Sequence, residues 1–342
     1  MAIISEAKQT ELLAKVKART AAGEVRKYVP EQLAFWPEDR RAIANELARS
    51  SLFQCGDNRR AREFFSNTPL YVLGQGAVHY TGEELRSKDE DLFLTLAHCA
   101  RDLPSGKMLV KVSSSDICKM NNWRQDQRYY KDIFQSIQRM KGGVITVFSK
   151  RLAKALKCRR AIEAGASDAE LQRLHDELEE FEKQQDALVP AGPDDDEMAG
   201  MMMNLISGDP VFTGFKKVID GIPQGNLNWE ITLDKNMVSL FAKPFLTYVD
   251  LEARQELSAT GKRLQAYFLS HKDPHPVLLR SLEKMLVLHY KDLKKLKFKI
   301  TEELDALKTH GVIHDYKFER SADGTDWKVK VHRHPQEGAN SK

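Results

Sequence analysis

The chain has 342 residues, 42% of them hydrophobic and 30% charged, which suits two or three domains with ample cores and excludes a disordered protein. Its formal charge of +4 is mild and carries meaning only where it is concentrated. No run approaches eighteen apolar residues and the start lacks an apolar signal core, so neither a membrane span nor export is expected and the protein reads as cytoplasmic. Cys55, Cys99, Cys118 and Cys158 are scattered without CxxC spacing, as thiols of a reducing compartment rather than a disulfide framework or a zinc site.

Residues 6–24 are helix-prone and amphipathic, and 25–62 are charged with few apolar anchors. A packed unit is expected to begin near Asn67. "TPLYVLGQGAVHYTGEEL" holds two β-prone runs around Gly74-Gln75-Gly76, a hairpin signal. Leu85, Leu92, Leu96 and Ala100 then recur at helical spacing. "KMLVKVSSSDICKMNNW" predicts a strand, a serine cap and a short helix. "RQDQRYYKDIFQSIQRMKGG" predicts a longer helix with a Gly-Gly stop, and the β-rich "VITVFSK" follows.

The stretch 150–209 reads as an insertion. Leu171, Leu174, Leu178 and Phe181 form a seam that "KRLAKALKCRRAIEAG" can pair with as a helical hairpin, and "VPAGPDDDEMAGMMMN" reads as a linker. The earlier order then recurs: a helix opened by Ser258, the short extended "HPVLL", the helix "RSLEKMLVLHY", a longer helix closing on Gly311, and two strands around Asp323-Gly324. The expected fold is therefore α+β and mainly helical: tandem winged-helix (helix-turn-helix) domains with β-hairpin wings and a helical insertion. The expected divisions are 1–62 as a flexible, partner-binding segment, 63–245 as the first domain and 246–342 as the second.

The long helix of each half has two unlike faces. Near the C-terminus, Leu293, Leu296, Ile300, Leu304 and Leu307 share one face of a 100° wheel, while Lys294, Lys295, Phe298 and Lys299 fall opposite, with Lys297 and Thr301 on the margin. A helix entering a major groove by its N-terminal half suits this polarity, with cations for phosphate or guanine and a ring against a thymine methyl. In the first half, Tyr130, Ile133, Phe134, Ile137 and Met140 take the apolar side, and Arg124, Arg128, Lys131, Gln135 and Arg139 the other. A lone basic face is more often merely solvated, but two in corresponding positions favour DNA. In "DWKVKVHRH", Lys328, Lys330 and His332 alternate with Trp327, Val329 and Val331, so one side of the wing packs and the other faces phosphate.

Catalytic signals are thin, and no enzyme is expected. Tyr129-Tyr130 suggests a nicking tyrosine only if a His-hydrophobe-His metal motif accompanies it, and His332-Arg-His334 is the sole His-x-His. Asp194-Asp195-Asp196-Glu197 reads as a solvated linker before it reads as a chelator. There is no GxxxxGK[ST], hence no P-loop, and no cofactor is expected.

"WPEDRRAIANELARSSLF" and "MVSLFAKPFLTYVDLEARQELSATGKRLQAYFLSHKDPHPVLL" resemble segments of the TrfA plasmid replication initiators, over roughly 31–150 and 210–320. The resemblance implies tandem winged helices that bind short direct repeats (iterons) of a bacterial plasmid origin as double-stranded DNA. It also implies local opening of the duplex and recruitment of the host initiator DnaA, the replicative helicase DnaB and the β sliding clamp. The 150–209 insertion departs from the family and would extend the first wing, with a homodimer or a bound partner as its open uses. Gln32, Leu33, Phe35 and Trp36 resemble the short peptide that clamp-binding proteins insert into the clamp's apolar groove, against the alternative that Phe35 and Trp36 pack on the first domain. Ile43, Leu47, Leu52 and Phe53 are expected to anchor the segment. A transcriptional repressor of the same architecture and, less favoured, a tyrosine nicking initiator are the alternative functions.

Overall fold

The computed structural model describes residues 36–56, 60–74, 76–101, 103, 109–185, 198–234, 240 and 246–334. The first elements are β1 (Arg40–Ala44), α1 (Asn45–Ala48) and β2 (Phe53–Gln54). Ile43, Leu47, Leu52 and Phe53 are all buried, so the anchoring expected of this stretch is met. The hairpin around Gly74 and Gly76 forms as β3 (Phe64–Leu70) and β4 (Ala77–Glu83), antiparallel and with an irregular register near Asn67. After β5 (Leu85–Arg86), parallel to β2, comes α2 (Ser87–Ala100), whose buried Leu92, Phe93, Leu96 and Ala97 seat it in the core.

The next elements are β6 (Leu109–Ser113), α3 (Ser114–Met120), α4 (Gln127–Gly142) and β7 (Val144–Ser149). The expected serine cap is Ser113, whose side chain accepts from the Asp116 amide, and Asp126 caps α4 at the Tyr129 amide. A helical hairpin follows, α5 (Lys150–Glu163) packed on α6 (Asp168–Gln185), as the apolar seam predicts. Then come β8 (Ala199–Met203), β9 (Ile206–Thr213), β10 (Lys217–Ile219), β11 (Ile222–Gln224) and β12 (Asn228–Leu233).

Two expectations for this region need correction. "VITVFSK" is not a wing strand: β7 joins a four-stranded sheet of order β3-β4-β7-β8. The end of the supposed linker is β8, paired antiparallel with β7 from Ile145↔Met203 to Ser149↔Ala199. Its methionines alternate, Met201 and Met203 inward and Met202 outward, which is strand periodicity in a residue type that does not advertise a strand. The helical insertion therefore joins two neighbouring strands of this sheet and does not extend a wing.

The chain continues through β13 (Leu246–Asp250), α7 (Leu251–Glu256), α8 (Ala259–Leu269), β14 (Val277–Leu278), α9 (Leu279–Leu286), α10 (Leu293–Thr309), β15 (Asp315–Arg320) and β16 (Trp327–His332). β13 pairs antiparallel with β1, tying residues some two hundred apart. Ser258 caps α8 as expected, accepting from the Gly261 amide at 3.1 Å.

The same unit is built twice. In the first half it runs α2, β6, α3, α4, β9, β12, with sheet order β6-β12-β9; in the second it runs α8, β14, α9, α10, β15, β16, with order β14-β16-β15. In both sheets the strand before the short helix pairs with the last strand, and the middle strand of the sequence lies at the edge.

The described residues form two apolar cores. One gathers Trp36 through Val249 with Ala266, and the other Ala253 through Val331. Between them lies a buried ionic seam. Arg263, wholly inaccessible, pairs with Glu90 and donates to the carbonyls of Leu47, Ala48 and Ser50 at 3.0, 3.1 and 2.6 Å. These carbonyls lie at and just past the C-terminal end of α1, where helical oxygens run out of intrahelical donors. Arg254 reaches Glu90 at 3.0 Å and Asp91 at 2.9 Å, and Lys262 reaches Asp91 at 2.7 Å. Helix α2 of the first unit is thus bonded to α7 and α8.

Candidate nucleic-acid interface

Helix α4 buries Ile133, Phe134, Ile137 and Met140, leaving Tyr130 half-buried, as its apolar stripe predicts. Arg124, Arg128 and Lys131 are exposed and Gln135 is half-exposed. Arg139 does not belong with them. Its guanidinium turns inward to Asp89 on α2, with Nε and Nη2 at 3.1 and 2.8 Å from one carboxylate oxygen. Burial works to raise the Asp89 carboxyl, but Arg139, Arg62 and the Ser136 hydroxyl hold it below the ordinary carboxylate value. The exposed stripe instead continues to Gln138, three residues beyond Gln135, where Arg139 is a further 100° around toward α2. Sequence reasoning missed Gln138, and the i, i+3, i+7, i+10 spacing from Arg128 was the signal that identifies it.

Helix α10 repeats the design. Leu296, Ile300, Leu304 and Leu307 are fully buried, while Lys294 and Lys295 are exposed and Phe298 keeps 66% of its surface in solvent. Tyr290, Lys294, Lys295 and Phe298 line a shallow depression beside the helix. Asp292 caps the start at the Lys294 amide, 2.8 Å away, so positive charge here comes chiefly from side chains.

Three candidates on this helix are engaged within the molecule. Lys297 Nζ lies 3.3 Å from the ring centre of Trp327 and 4.8 Å from that of Phe318, a cation–π contact that fastens α10 to the β15–β16 hairpin. Desolvation, with Arg320 nearby, lowers its pKa. Lys299 pairs with Glu303 at 2.6 Å, and the Thr301 hydroxyl donates to the Lys297 carbonyl at 2.9 Å.

On the hairpin itself, Val329 and Val331 are buried, Trp327, Lys328 and Lys330 are half-buried and His332 is exposed, the alternation expected. Lys317 stands opposite Lys330 on the neighbouring strand, so the hairpin carries a basic face that includes a lysine sequence reasoning did not single out.

The TrfA protein family profile matches residues 1–165 and 216–320. The chain belongs to the TrfA family. It is 24% identical over 312 residues to the plasmid replication initiator protein TrfA of Escherichia coli, covering 91% of this chain and 67% of that protein. Two solved structures of domains 2 and 3 of RctB align over 84% of the chain. They cover 98% and 97% of their own lengths, at 10% and 11% identity and TM-scores of 0.49 and 0.48. The internal interval that the TrfA profile leaves unmatched, 166–215, contains α6, β8 and β9.

The clamp-like peptide of this TrfA-family chain fares unevenly. Gln32, Leu33 and Phe35 lie outside the described residues. Trp36 is buried to 1% exposure, and its indole N–H donates to Nδ1 of His98 at 3.1 Å. An indole held in the core is not an anchor for a partner's groove, so Trp36 leaves that motif and joins the packing alternative. Arg41 also donates to His98 Nδ1, at 3.1 Å, and Nε2 sits 2.9 Å from Glu38. An Nδ1 that accepts from two donors resists a proton. Burial, reinforced by Arg41, lowers the His98 pKa to about 4.

Tyr129 stacks on Trp123 with ring centres 5.9 Å apart and carries Lys88 over its ring, while the Tyr130 ring packs against the first core. Both tyrosines thus serve packing. The acidic run 194–197 lies outside the described residues, and among the described residues no three His, Cys, Asp or Glu side chains are grouped to hold a metal. No described helix is long and apolar enough to cross a membrane.

Proposed function

We propose that this TrfA-family chain acts in the bacterial cytoplasm as a plasmid replication initiator that binds direct repeats (iterons) of the origin as double-stranded DNA, by binding rather than catalysis. In this reading the two repeated units are winged-helix modules, α4 and α10 are their recognition helices, and the hairpins β9–β12 and β15–β16 are their wings. The observation that carries it is the duplication. Two units with one element order and one strand order each leave cationic side chains exposed on the third helix, Arg128 and Lys131 in one, with Arg124 just ahead of it, and Lys294 and Lys295 in the other.

The chemistry follows from those faces. Arginine and glutamine on α4 offer bidentate bonds to guanine and adenine edges, and Phe298 offers a ring to a thymine methyl. Lys328 and Lys330 supply phosphate contacts that fix register and make affinity fall steeply with salt. Opening of the duplex and recruitment of DnaA, DnaB and the β sliding clamp belong to the same proposal and rest on the family alone.

The test is a binding titration of the full chain on origin DNA and on scrambled DNA of equal length, at several salt concentrations. Preference for origin DNA, and a log–log salt slope reporting several phosphate contacts, is the expected result; equal binding to both sequences would defeat the proposal.

A further inference from the structure

The two hairpins differ at their tips. The loop of the second, residues 321–326, is polar: Ser321 exchanges hydrogen bonds with Asp326, and Asp323 is held by Ser321 and Thr325. The first hairpin carries a smaller one at its end, β10 paired with β11 as Lys217↔Gln224, Val218↔Pro223 and Ile219↔Ile222. Asp220 and Gly221 close it with φ of 49° and 74°, the left-handed pair of a tight two-residue turn. Beside that turn Val218 is 56% and Ile219 47% exposed, and Lys216 and Lys217 next to them are exposed as well. Two branched aliphatic side chains in water at a hairpin tip have no folding use, because they bury little of their own surface.

The tip is held rigidly and in a particular place. Gln127, the first residue of α4, donates to the Pro223 carbonyl at 3.3 Å and accepts from the Gly225 amide at 2.9 Å. At the base, a Cβ on Gly214 would stand 2.7 Å from the Asn226 carbonyl oxygen, so the strands approach there as only glycine allows. Asn226 accepts from the Ser115 amide on α3 at 2.8 Å, and Phe215 packs on Phe212, itself against Trp229 in the first core. The hairpin is thus a stiff finger bolted to the N-terminal end of α4. Pro223, where Gln127 holds the ribbon, faces Val218, so the tip projects only one or two residues past that bond and stands beside the N-terminal end of α4.

We infer that this tip is a minor-groove wedge: with α4 in the major groove, Ile219, next to the turn, enters the minor groove across the intervening phosphate backbone at one base-pair step, Val218 lies on the opposite face of the ribbon against the groove wall, and Lys216 and Lys217 take the flanking phosphates. The inference rests on the DNA-binding reading above and deepens it. Branched and other apolar side chains placed between base pairs unstack one step and kink the duplex, and the flexible pyrimidine–purine steps of A·T-rich DNA yield at least cost. The local charge agrees, two lysines against the single acid Asp220 at the turn.

The experiment uses the full chain and a duplex carrying one footprinted repeat, with 2-aminopurine replacing each adenine in turn. Wild-type protein is expected to raise the fluorescence several-fold at one position only. The V218S/I219S variant, altered only at exposed positions, is expected to keep the footprint while losing that rise and about tenfold in affinity. A rise that V218S/I219S leaves unchanged overturns the wedge and returns the tip to docking of a protein. A wild-type footprint with no brightened position sinks the wedge alone. Absence of any footprint sinks both the wedge and the DNA-binding reading beneath it.

Discussion

Arg139 and Arg128 sit eleven residues apart on one helix and are assigned different work by a rotation. Arg139 is a nearly buried cation on a fully buried carboxylate that also holds Arg62 and Ser136, so Arg139→Ala is expected to cost about 1–3 kcal/mol of stability, the penalty for removing one charged hydrogen-bond partner while the others remain. Arg128→Ala, on an exposed side chain, is expected to leave thermal unfolding unchanged and to weaken DNA binding. Chemical denaturation beside a binding titration separates the two, and a fall in stability in the Arg128 variant would reverse their roles. His98 gives a second residue-scale test. Its folded pKa is depressed from 6.5 to about 4, so the unfolded chain binds the proton first. Stability contributed by the neutral ring is full above about pH 6.5 and is lost as pH falls toward 4, and a histidine NMR titration should show no change at His98 until near pH 4. The sequence displayed the amphipathic stripe of α4 but not its edge. Whether residue 139 faces water or α2 depends on Asp89, fifty positions away and silent in any local pattern. Trp36 was ambiguous for the same reason, its fate resting on His98.

At the scale of elements, α10 and the β15–β16 hairpin behave as one body through the contact of Lys297 with Trp327. Trp327→Ala is therefore expected to loosen the β15–β16 hairpin, read as faster amide exchange along β16, even though Lys297 itself is retained. Lys294→Ala with Lys295→Ala is expected to weaken binding on all DNA and to lower the log–log salt slope by about two, one for each phosphate no longer neutralised. A slope unchanged in that variant would remove α10 from the interface. Helix positions and caps were legible from spacing alone, because period 3.6 and the cap residues Ser113, Asp126 and Ser258 are local signals. Strand partnership was not. β7 reads as the strand after a recognition helix, yet it pairs with β4 and with the methionine-rich β8, whose strand character emerges only from the sheet beside it. The true first hairpin, β9 with β12, lies more than sixty residues beyond α4, behind an insertion that local reading cannot skip.

For the whole molecule, the duplicated unit and the ionic seam belong together. Glu90 and Asp91 on α2 meet Arg254, Lys262 and Arg263 on the elements that open the second unit. Breaking the most buried link by Arg263→Met is expected to destabilise the protein by about 3 kcal/mol, because Glu90 stays buried with Arg254 alone and the carbonyls of Leu47, Ala48 and Ser50 lose the guanidinium they share. Unfolding free energy measured in urea checks this, and a change under about 1 kcal/mol would show the seam to be incidental. Taken whole, the proposed molecule is one reader of DNA with two recognition helices, and a footprint of the full chain on its plasmid's origin tests that most directly. Protection is expected to recur once per direct repeat and to disappear when Arg128, or Lys294 with Lys295, is changed to alanine. Protection spread evenly without regard to sequence, or repeats protected equally by those variants, would contradict it.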